Sequence, residues 1–310
     1  MSQKVQTVTG LIDAEEMGFT LTHEHLIVDA NNIYRISYGA DRMGDELITK
    51  EKRNEVLKDL QTVVFGYKDN IRFDNPDDMV RELESFKSAG GKTIFEVTTL
   101  DLGRKPEALK YISEKSGVNI VMGGTYYYFP SMDDNAKKLV MDGNKNGLAE
   151  LMIKEFYEGV GDTGIKPGVL GELGLQHDDY TNDVLCHAAM IAQRETGKPL
   201  IVHYAPYEIL DVAVSEGADI SKIVMGHWST DMPVEDAVKR GAWISFDQIG
   251  MNFPGIISDD RRADDVLYMF KKGWQDRLLL SHDIAWKIRM KKYGGEGYDD
   301  MNRNFFPKLL

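Results

Sequence analysis

Short apolar runs rich in β-branched residues alternate with longer helical patterns along the whole chain, and this alternation constrains the fold more than any other feature. It predicts eight strands, at about 19–25, 92–97, 118–122, 168–172, 199–203, 223–227, 242–246 and 277–283. Alternating strands and helices favour a parallel sheet with right-handed crossovers. Eight such units without a domain-breaking linker, in a chain of 310 residues, favour a single (β/α)8 TIM barrel of the α/β class over an open doubly wound sheet.

The predicted barrel occupies residues 1–310 as one domain, with a long excursion at about 26–91 between the first two strands. Helical patterns at about 50–65 and 76–89 lie in this excursion, and Gly90-Gly91 would end the second of them. No G-x-G-x-x-G follows the first strand and no P-loop is present, which weakens nucleotide-binding alternatives. The chain ends soon after the eighth strand, which leaves room for a short final helix or only for its start.

Composition limits the classes of partner. The net charge is −13, with 50 acidic against 37 Lys and Arg residues, which argues against binding to nucleic acid or to an anionic membrane. Cys186 is the single cysteine, so no intrachain disulfide forms. The first residues lack a signal-peptide pattern and no apolar run is long enough to span a bilayer, so we expect a cytoplasmic protein.

Two histidines stand two residues apart in the first predicted strand, within Phe19-Thr20-Leu21-Thr22-His23-Glu24-His25. Residues two apart on a strand project to the same face, so both imidazoles point into one site. In a surface strand such a pair is often only polar decoration. The later strands decide between this interpretation and a metal site.

The active site of a parallel barrel lies at the carboxyl ends of its strands. Six metal-capable side chains stand at this end of five predicted strands: His23, His25, Glu172, His203, His227 and Asp283. Each has an ordinary structural interpretation, as a helix cap or as a hydrogen-bonded histidine of the rim. Their coincidence at one end of five strands predicts a metal site.

Six ligands exceed what one tetrahedral zinc ion needs, so two divalent ions that share a bridging carboxylate fit better. The expected assignment is His23, His25 and Asp283 on the more buried ion, His203 and His227 on the more exposed one, and Glu172 between them. Such ligands suit Zn²⁺ and are compatible with manganese, cobalt or iron. A hydroxide held between the ions would attack the substrate. Asp283 would accept the proton of the attacking water and pass it to the leaving group.

These motifs resemble the phosphotriesterase family of the amidohydrolase superfamily. The similarity runs through nearly the whole chain, from 17–26 and 171–174 to Asp283 and the glycine-rich segment 294–299. Phosphotriesterases proper carry a carboxylated lysine as the bridging ligand, whereas this sequence has Glu172, as in the phosphotriesterase-homology and lactonase branch. A glutamate supplies the carboxylate without carbon dioxide, so metal binding should not need bicarbonate.

The resemblance implies a binuclear, zinc-dependent hydrolase that opens a lactone ring, and a phosphorylated sugar lactone is the expected substrate. A phosphotriesterase or aryl esterase is the alternative, because the same hydroxide attacks phosphorus or an ester carbonyl. A third interpretation is a catalytically silent metal-binding protein. The small-molecule lactone is the expected partner, and the resemblance is compatible with a homodimer.

Two segments carry candidate substrate-binding residues. After the third strand, Tyr126 or Tyr128 would contribute an aromatic wall or a hydroxyl, although packing beneath a loop explains them equally well. The basic segment after the eighth strand would anchor a substrate phosphate, since Arg and Lys pair with phosphate oxygens; a solvated loop face is the alternative. The candidates in this segment and just beyond it are Lys287, Arg289, Tyr293 and Tyr298.

Overall fold

The computed structural model describes residues 3–33, 44–57, 67–175, 178–253 and 256–310. Each of the eight predicted strands overlaps a strand of the structure, and four further short strands occur in these residues. In chain order the strands are β1 (Lys4–Thr7), β2 (Gly10–Asp13), β3 (Phe19–Glu24), β4 (Val28–Asp29), β5 (Arg72–Phe73), β6 (Gly91–Glu96), β7 (Asn119–Met122), β8 (Leu170–Gly174), β9 (Leu200–His203), β10 (Ile223–Gly226), β11 (Trp243–Phe246) and β12 (Leu278–Leu280).

Eight of these strands form two parallel sheets. β3, β6 and β7 make a three-stranded sheet, and β8 to β12 make a five-stranded sheet in chain order. An isolated parallel bridge between Gly123 and Val169 connects β7 with β8. At the opposite edge, the backbone N–H of Asp283, just beyond β12, donates to the carbonyl of His23 in β3 at 3.1 Å. The two sheets therefore contact each other at both edges.

Helices follow the parallel strands, as the alternation predicts. The α-helices are Lys50–Val56, Pro76–Ser88, Pro106–Ser116, Asp134–Met141, Lys145–Glu158, Asp179–Thr196, Ile209–Glu216, Val234–Arg240, Asp259–Lys271 and Phe306–Lys308. Short 3-10 helices are Ala14–Met17, Leu100–Leu102, Phe129–Ser131, Ile220–Lys222, Gln275–Arg277, Lys287–Arg289 and Lys291–Tyr293, and Met301–Phe305 is π-helical. The helix predicted at about 50–65 is present as far as Val56, and its residues 58–65 lie outside the described ranges. Within those ranges, no helix has the length and apolar character needed to cross a bilayer.

The parallel strands β6 to β11 are largely buried on both faces, whereas all three residues of β12 are half-buried. Successive residues of a strand project to opposite sides, so each strand contributes to two different sets of contacts. One set is a small apolar cluster made of Val97, Val121, Val169, Ile201 and Val224. The alternate residues, among them Leu170 and Leu200, join the large core that also contains the inner faces of the helices. Burial on both faces explains why these strands are continuous apolar runs.

The sequence analysis does not predict two antiparallel pairs. β1 pairs with β2 through a turn in which the Thr7 hydroxyl donates to the carbonyl of Gly10, whose φ of 124° suits a residue without a side chain. β4 pairs with β5 inside the long excursion. Both pairs consist of strands of two to four residues with many polar side chains, which give too little alternation for recognition.

The contact between β7 and β8 leaves no room for a side chain at Gly123. A Cβ atom there would lie 2.1 Å from the carbonyl oxygen of Gly171 and 3.1 Å from the Cα atom of Val97. Both neighbours are backbone atoms, so the sheets would have to separate. We expect Gly123→Ala to lower the free energy of unfolding by about 1–3 kcal/mol or more.

Urea unfolding followed by circular dichroism measures this change. The exposed Glu150→Ala variant, in the helix Lys145–Glu158, is the control and should stay within about 0.5 kcal/mol of the parent. Equal stability of the two variants would show that the sheets do not meet as closely as described.

Candidate metal centre

The six predicted metal ligands lie together. His23 and Glu172 are in strands β3 and β8, His203 ends β9, and the other three closely follow β3, β10 and β12. Since these strands are parallel, their carboxyl ends meet at one edge. The predicted ligands form two groups in which all ligand atoms lie within 4.8 Å of one another, His23 with His25 and Asp283, and Glu172 with His203 and His227. A third such group joins His23 and His227 to Asp247.

Glu172 faces both groups. Its Oε1 atom lies 3.4 Å from Nε2 of His25, and its Oε2 atom lies 3.2 Å from Nε2 of His23. The same Oε2 atom is 2.7 Å from Nδ1 of His203, a nitrogen that is in turn 2.9 Å from Nε2 of His227. A carboxylate whose two oxygens together contact imidazoles of both groups has the placement expected of a bridging ligand.

Three residues at this edge have a left-handed backbone without being glycine. The φ angles are 47° for Tyr204, 58° for His227 and 55° for Asp283. This region costs free energy for residues with a Cβ atom and persists only where the surroundings hold it. Each of the three lies just beyond a parallel strand, so the strain is concentrated where the candidate ligands are.

Glu24 lies between His23 and His25 in the sequence. Its side chain points away from the candidate ligands and forms hydrogen bonds to the segment around Asp283. Its Oε1 atom accepts hydrogen bonds from the Ser281 hydroxyl at 2.8 Å, and from the backbone N–H and Nδ1 of His282 at 2.7 and 2.9 Å. Its Oε2 atom accepts from the backbone N–H of Ile284 at 3.1 Å. The backbone N–H groups of the two residues that flank Asp283 are therefore held by one carboxylate.

Asp247 is a buried carboxylate of the site that the sequence analysis does not identify. Its Oδ1 atom accepts from the backbone N–H of His227 at 2.9 Å and lies 2.7 Å from Nδ1 of the same residue. Its Oδ2 atom lies 3.0 Å from Nδ1 of His23. Asp247 directly follows β11, so the rule that selected the other ligands would also have found it.

A second chain of polar contacts supports His25. Its Nδ1 atom lies 2.9 Å from the Thr98 hydroxyl, and this hydroxyl donates to Oε1 of Glu96 at 2.5 Å. All three side chains are buried. The imidazole is thereby held with its other nitrogen, Nε2, towards Glu172 and Asp283.

The electrostatics of the site keep its carboxylates ionised. Burial by itself would raise the pKa of Glu172 and of Asp247, but the neighbouring imidazoles outweigh it and hold both pKa values well below the ordinary range. Burial is likewise opposed at Asp283, where His25 and His227 lower the pKa. Burial lowers the pKa of His203, which favours the neutral imidazole. At His23, His25 and His227 burial also opposes the charged form, but the neighbouring carboxylates outweigh it and raise the pKa, so a metal ion would displace protons from these imidazoles.

This donor set fits divalent cations. Glu172, Asp247 and Asp283 form ion pairs only with imidazoles among the described residues, and no Lys or Arg of those residues lies within 4.0 Å of their carboxylates. Nε2 of His23 is buried and makes no hydrogen bond to any described residue. An unpartnered buried polar atom costs about 1–3 kcal/mol. Metal coordination would remove this cost and supply the positive charge that the carboxylates lack.

A cavity of about 670 Å³ opens onto the candidate ligands His25, Glu172, His203 and Asp283. Its remaining described lining consists of apolar, aromatic and amide side chains. Tyr127, Tyr128, Tyr204, Gln248 and Trp286 are among them. None of the described residues that line the cavity is Lys or Arg, so these residues place no fixed side-chain cation beside the candidate ligands.

The predicted tyrosines differ in whether they line the cavity. Tyr128 lines the cavity as predicted, whereas Tyr126 is buried and does not. Between them, Tyr127 lines the cavity with its hydroxyl 3.3 Å from Nε2 of His203. Tyr298 is fully buried, and its hydroxyl donates to the backbone carbonyl of His25 at 2.6 Å. Tyr126 and Tyr298 are therefore structural neighbours of the site and have no access to a substrate in the cavity.

Arg289 is not at the cavity either, contrary to the predicted role as a phosphate anchor. It is fully buried, because its guanidinium satisfies backbone carbonyls of two adjoining loops. Nη1 donates to the carbonyls of His282 and Asp283 at 2.5 and 3.1 Å, and Nη2 donates to the carbonyl of Ile249 at 2.7 Å. This arginine supports the backbone of a candidate ligand.

Lys287 and Tyr293 also face other parts of the structure. Nζ of Lys287 lies 2.5 Å from Oδ1 of Asp69 and 5.7 Å from the centre of the Tyr293 ring. Neither residue lines the cavity, and Tyr293 packs against a small apolar cluster that includes Ile288. The basic segment therefore provides no cation to the cavity.

Comparison with known families identifies the class of this protein. Residues 3–310 match the family described as the Phosphotriesterase family, and the chain belongs to this family of hydrolases. The resemblance inferred from the metal motifs is thus confirmed. Members of the family depend on two divalent metal ions, which agrees with the two groups of ligands found here.

Individual relatives extend this comparison. An N-acetyltaurine hydrolase of Salmo salar is 32% identical, and the alignment covers 100% of this chain and 92% of the relative. The crystal structure of a resiniferatoxin-binding protein from Rhodobacter sphaeroides is 32% identical, with a TM-score of 0.88 over 99% of this chain and 88% of the other. A lactonase from Listeria monocytogenes, 22% identical with a TM-score of 0.76 over 99% of this chain and 90% of the other, shares the fold.

The structural role of Arg289 predicts the effect of its removal. Arg289→Ala removes the guanidinium donor from three backbone carbonyls, of which that of Asp283 still accepts from the N–H of Ala285, so we expect the free energy of unfolding to fall by about 2–4 kcal/mol. Urea unfolding measures this loss, with the exposed Lys271→Ala variant as a control expected within about 0.5 kcal/mol of the parent. Unchanged stability together with a KM increase confined to phosphorylated lactones would instead restore the phosphate anchor.

Proposed function

We propose that this chain is a binuclear metal-dependent hydrolase that cleaves a small neutral carboxylic acid derivative, in the first instance an N-acyl amide. One observation carries the proposal: two ligand groups that share Glu172 open onto one cavity whose described lining has no Lys or Arg. The ligands give the machinery for hydrolysis, and the lining limits the charge of the substrate.

We further propose that the eight parallel strands close into one (β/α)8 barrel. The bridge between Gly123 and Val169 and the hydrogen bond from Asp283 to His23 support closure, because they lie at the two junctions between the sheets. Closure would bring the first and the eighth strand ends to the same site, which the ligand set requires.

In the proposed assignment, His23, His25 and Asp283 hold one ion, His203 and His227 hold the other, and Glu172 bridges them. The distances from Glu172 to both groups support it. The mixture of imidazole and carboxylate ligands favours Zn²⁺. Bound ions of this kind lower the pKa of water and polarise a carbonyl oxygen, which provides a nucleophile near neutral pH.

Asp283 is the proposed proton carrier. It lines the cavity with a carboxylate that its imidazole neighbours keep ionised, so it can accept a proton from water and deliver it to the departing amine or alcohol. Tyr127 and Tyr204 stand on the same cavity and would orient the substrate through their hydroxyls. The apolar lining excludes water from the acyl group.

An N-acyl amide is the first candidate because relatives named N-acetyltaurine hydrolase match this chain over its whole length at 30–32% identity. N-acetyltaurine carries a sulfonate anion, so these relatives support the amide bond of the proposed substrate and not its neutral charge. An unphosphorylated lactone is the second candidate, favoured by the aliphatic lining that includes Val28, Ile33, Met251 and Ile256. The phosphorylated sugar lactone predicted from the sequence is less well supported, since the basic residues predicted to bind its phosphate lie away from the cavity.

Initial rates of the zinc-loaded protein decide between these substrates. The panel contains N-acetyltaurine, a neutral N-acetylated amine, a medium-chain lactone, matched phosphorylated and unphosphorylated aldonolactones, and an aryl phosphotriester. We expect the neutral N-acetylated amine to be turned over fastest, the anionic N-acetyltaurine more slowly, and phosphorylation of a lactone to reduce kcat/KM. Preference for the phosphotriester would instead favour the alternative predicted from the family resemblance, and preference for phosphorylated lactones would contradict the neutral-substrate proposal.

Metal analysis tests the shared premise. We expect two zinc ions per folded chain after loading, and loss of hydrolysis on chelation that added zinc restores. Glu172→Gln keeps the size of the side chain but removes the bridging charge, so we expect its activity to fall by about two orders of magnitude or more. Glu150→Gln, the same change at an exposed position of the helix Lys145–Glu158, is the control, with zinc content expected to remain at two. Full activity of the metal-free protein would refute the scheme.

A further inference from the structure

We infer that Asp247 is a positioning residue for both halves of the metal centre: one carboxylate orients a histidine from each ligand group. The inference rests on the metal centre of the proposed function, but not on the identity of its substrate. Asp247 is not itself counted among the six ligands. Its role is to decide which nitrogen of each imidazole is free to bind an ion.

The contacts of Asp247 are divided between two strands. Oδ1 is 2.7 Å from Nδ1 of His227, which follows β10, and Oδ2 is 3.0 Å from Nδ1 of His23 in β3. All three side chains are buried, with 0–1% of their side-chain surface exposed. No water competes for these positions, so the orientation of both rings depends on the carboxylate.

The chemistry of these contacts fixes the tautomer. An ionised carboxylate only accepts hydrogen bonds, so each imidazole carries a hydrogen on the Nδ1 atom that faces Asp247. The contact with His227 is a hydrogen bond, whereas the contact with His23 is a 3.0 Å ion-pair contact without hydrogen-bond geometry. Nε2 is then the nitrogen left to bind an ion. Nε2 of His227 points to Nδ1 of His203 at 2.9 Å, and Nε2 of His23 points to Oε2 of Glu172 at 3.2 Å. Both free nitrogens therefore face the place where ions would bind.

Asp247 also holds the backbone of His227. The N–H group of His227 donates to Oδ1 at 2.9 Å, and the φ angle of this residue is 58°. A strained backbone needs such support to remain in place. Ring and main chain of the same candidate ligand are thus fixed by one oxygen atom.

A consequence is that the two ion sites depend on one residue. His23 belongs to the group with His25 and Asp283, whereas His227 belongs to the group with Glu172 and His203. Loss of an outer partner of a metal-bound histidine commonly weakens metal affinity about 10- to 100-fold. Neutralising Asp247 should therefore weaken both sites, whereas a purely local role would weaken only one.

Zinc binding to the full chain tests the inference without any substrate. In competition titrations with a chromogenic chelator, we expect Asp247→Asn to reduce both zinc affinities by about 10- to 100-fold and to retain fewer than two zinc ions per chain after dialysis. Asp259→Asn is the matched control, because Asp259 is also buried but accepts from Gly250, Asn252 and Arg262 and touches no candidate ligand. Wild-type affinity at either site of Asp247→Asn would overturn the inference.

The histidine tautomers give a second readout on the unmodified protein. Long-range ¹H–¹⁵N spectra of histidine-labelled, metal-free protein should show hydrogen on Nδ1 of His23 and His227, assigned by comparison with His→Gln variants. This measurement decides the matter even where Asp247→Asn fails to fold, and the absence of hydrogen from Nδ1 of either residue would overturn the inference. Failure of every substrate in the panel would refute the proposed function and leave both measurements valid.

Discussion

Carboxylates that are buried side by side are unfavourable unless a cation is supplied, and this constraint governs how the candidate metal centre is organised. Glu172, Asp247 and Asp283 have only imidazoles as basic partners in the part of the chain that the structure describes. The parallel strands deliver these groups to one place, and the supporting carboxylate of Glu24 fixes the segment that carries Asp283. Fold and metal binding are therefore mutually dependent: the strands assemble a charge distribution that a metal would stabilise.

Much of this arrangement could be predicted from the sequence because the eightfold alternation assigns a position to every polar residue at a strand end. That rule brought His23 and Asp283 together although they are far apart in the chain. The rule applies equally to Asp247. The seventh predicted strand ends at Phe246, however, so the prediction does not include Asp247. The rule identifies the edge on which a side chain lies, whereas the hydrogen bonds that distinguish a ligand from its support depend on three-dimensional contacts.

The predictions that failed concern irregular segments. Arg289 is close to the site in sequence and carries the right charge for a phosphate, yet its side chain turns inwards because tight turns there leave backbone carbonyls that need donors. In the Tyr126–Tyr128 segment, the conformation of the loop decides which rings reach the cavity, and residue type gives no information on it. Periodicity determines side-chain direction in strands and helices but not in loops.

The link between Glu24 and His282 joins residues 258 positions apart. Contacts of such long range form late, because the intervening chain must first be ordered. A nascent chain that lacks the eighth strand would thus carry an unpaired Glu24 and only part of the ligand set. High-affinity binding of two metal ions would then require the segment around Asp283 to be in place, so the docking of β12 beside β3 would precede it.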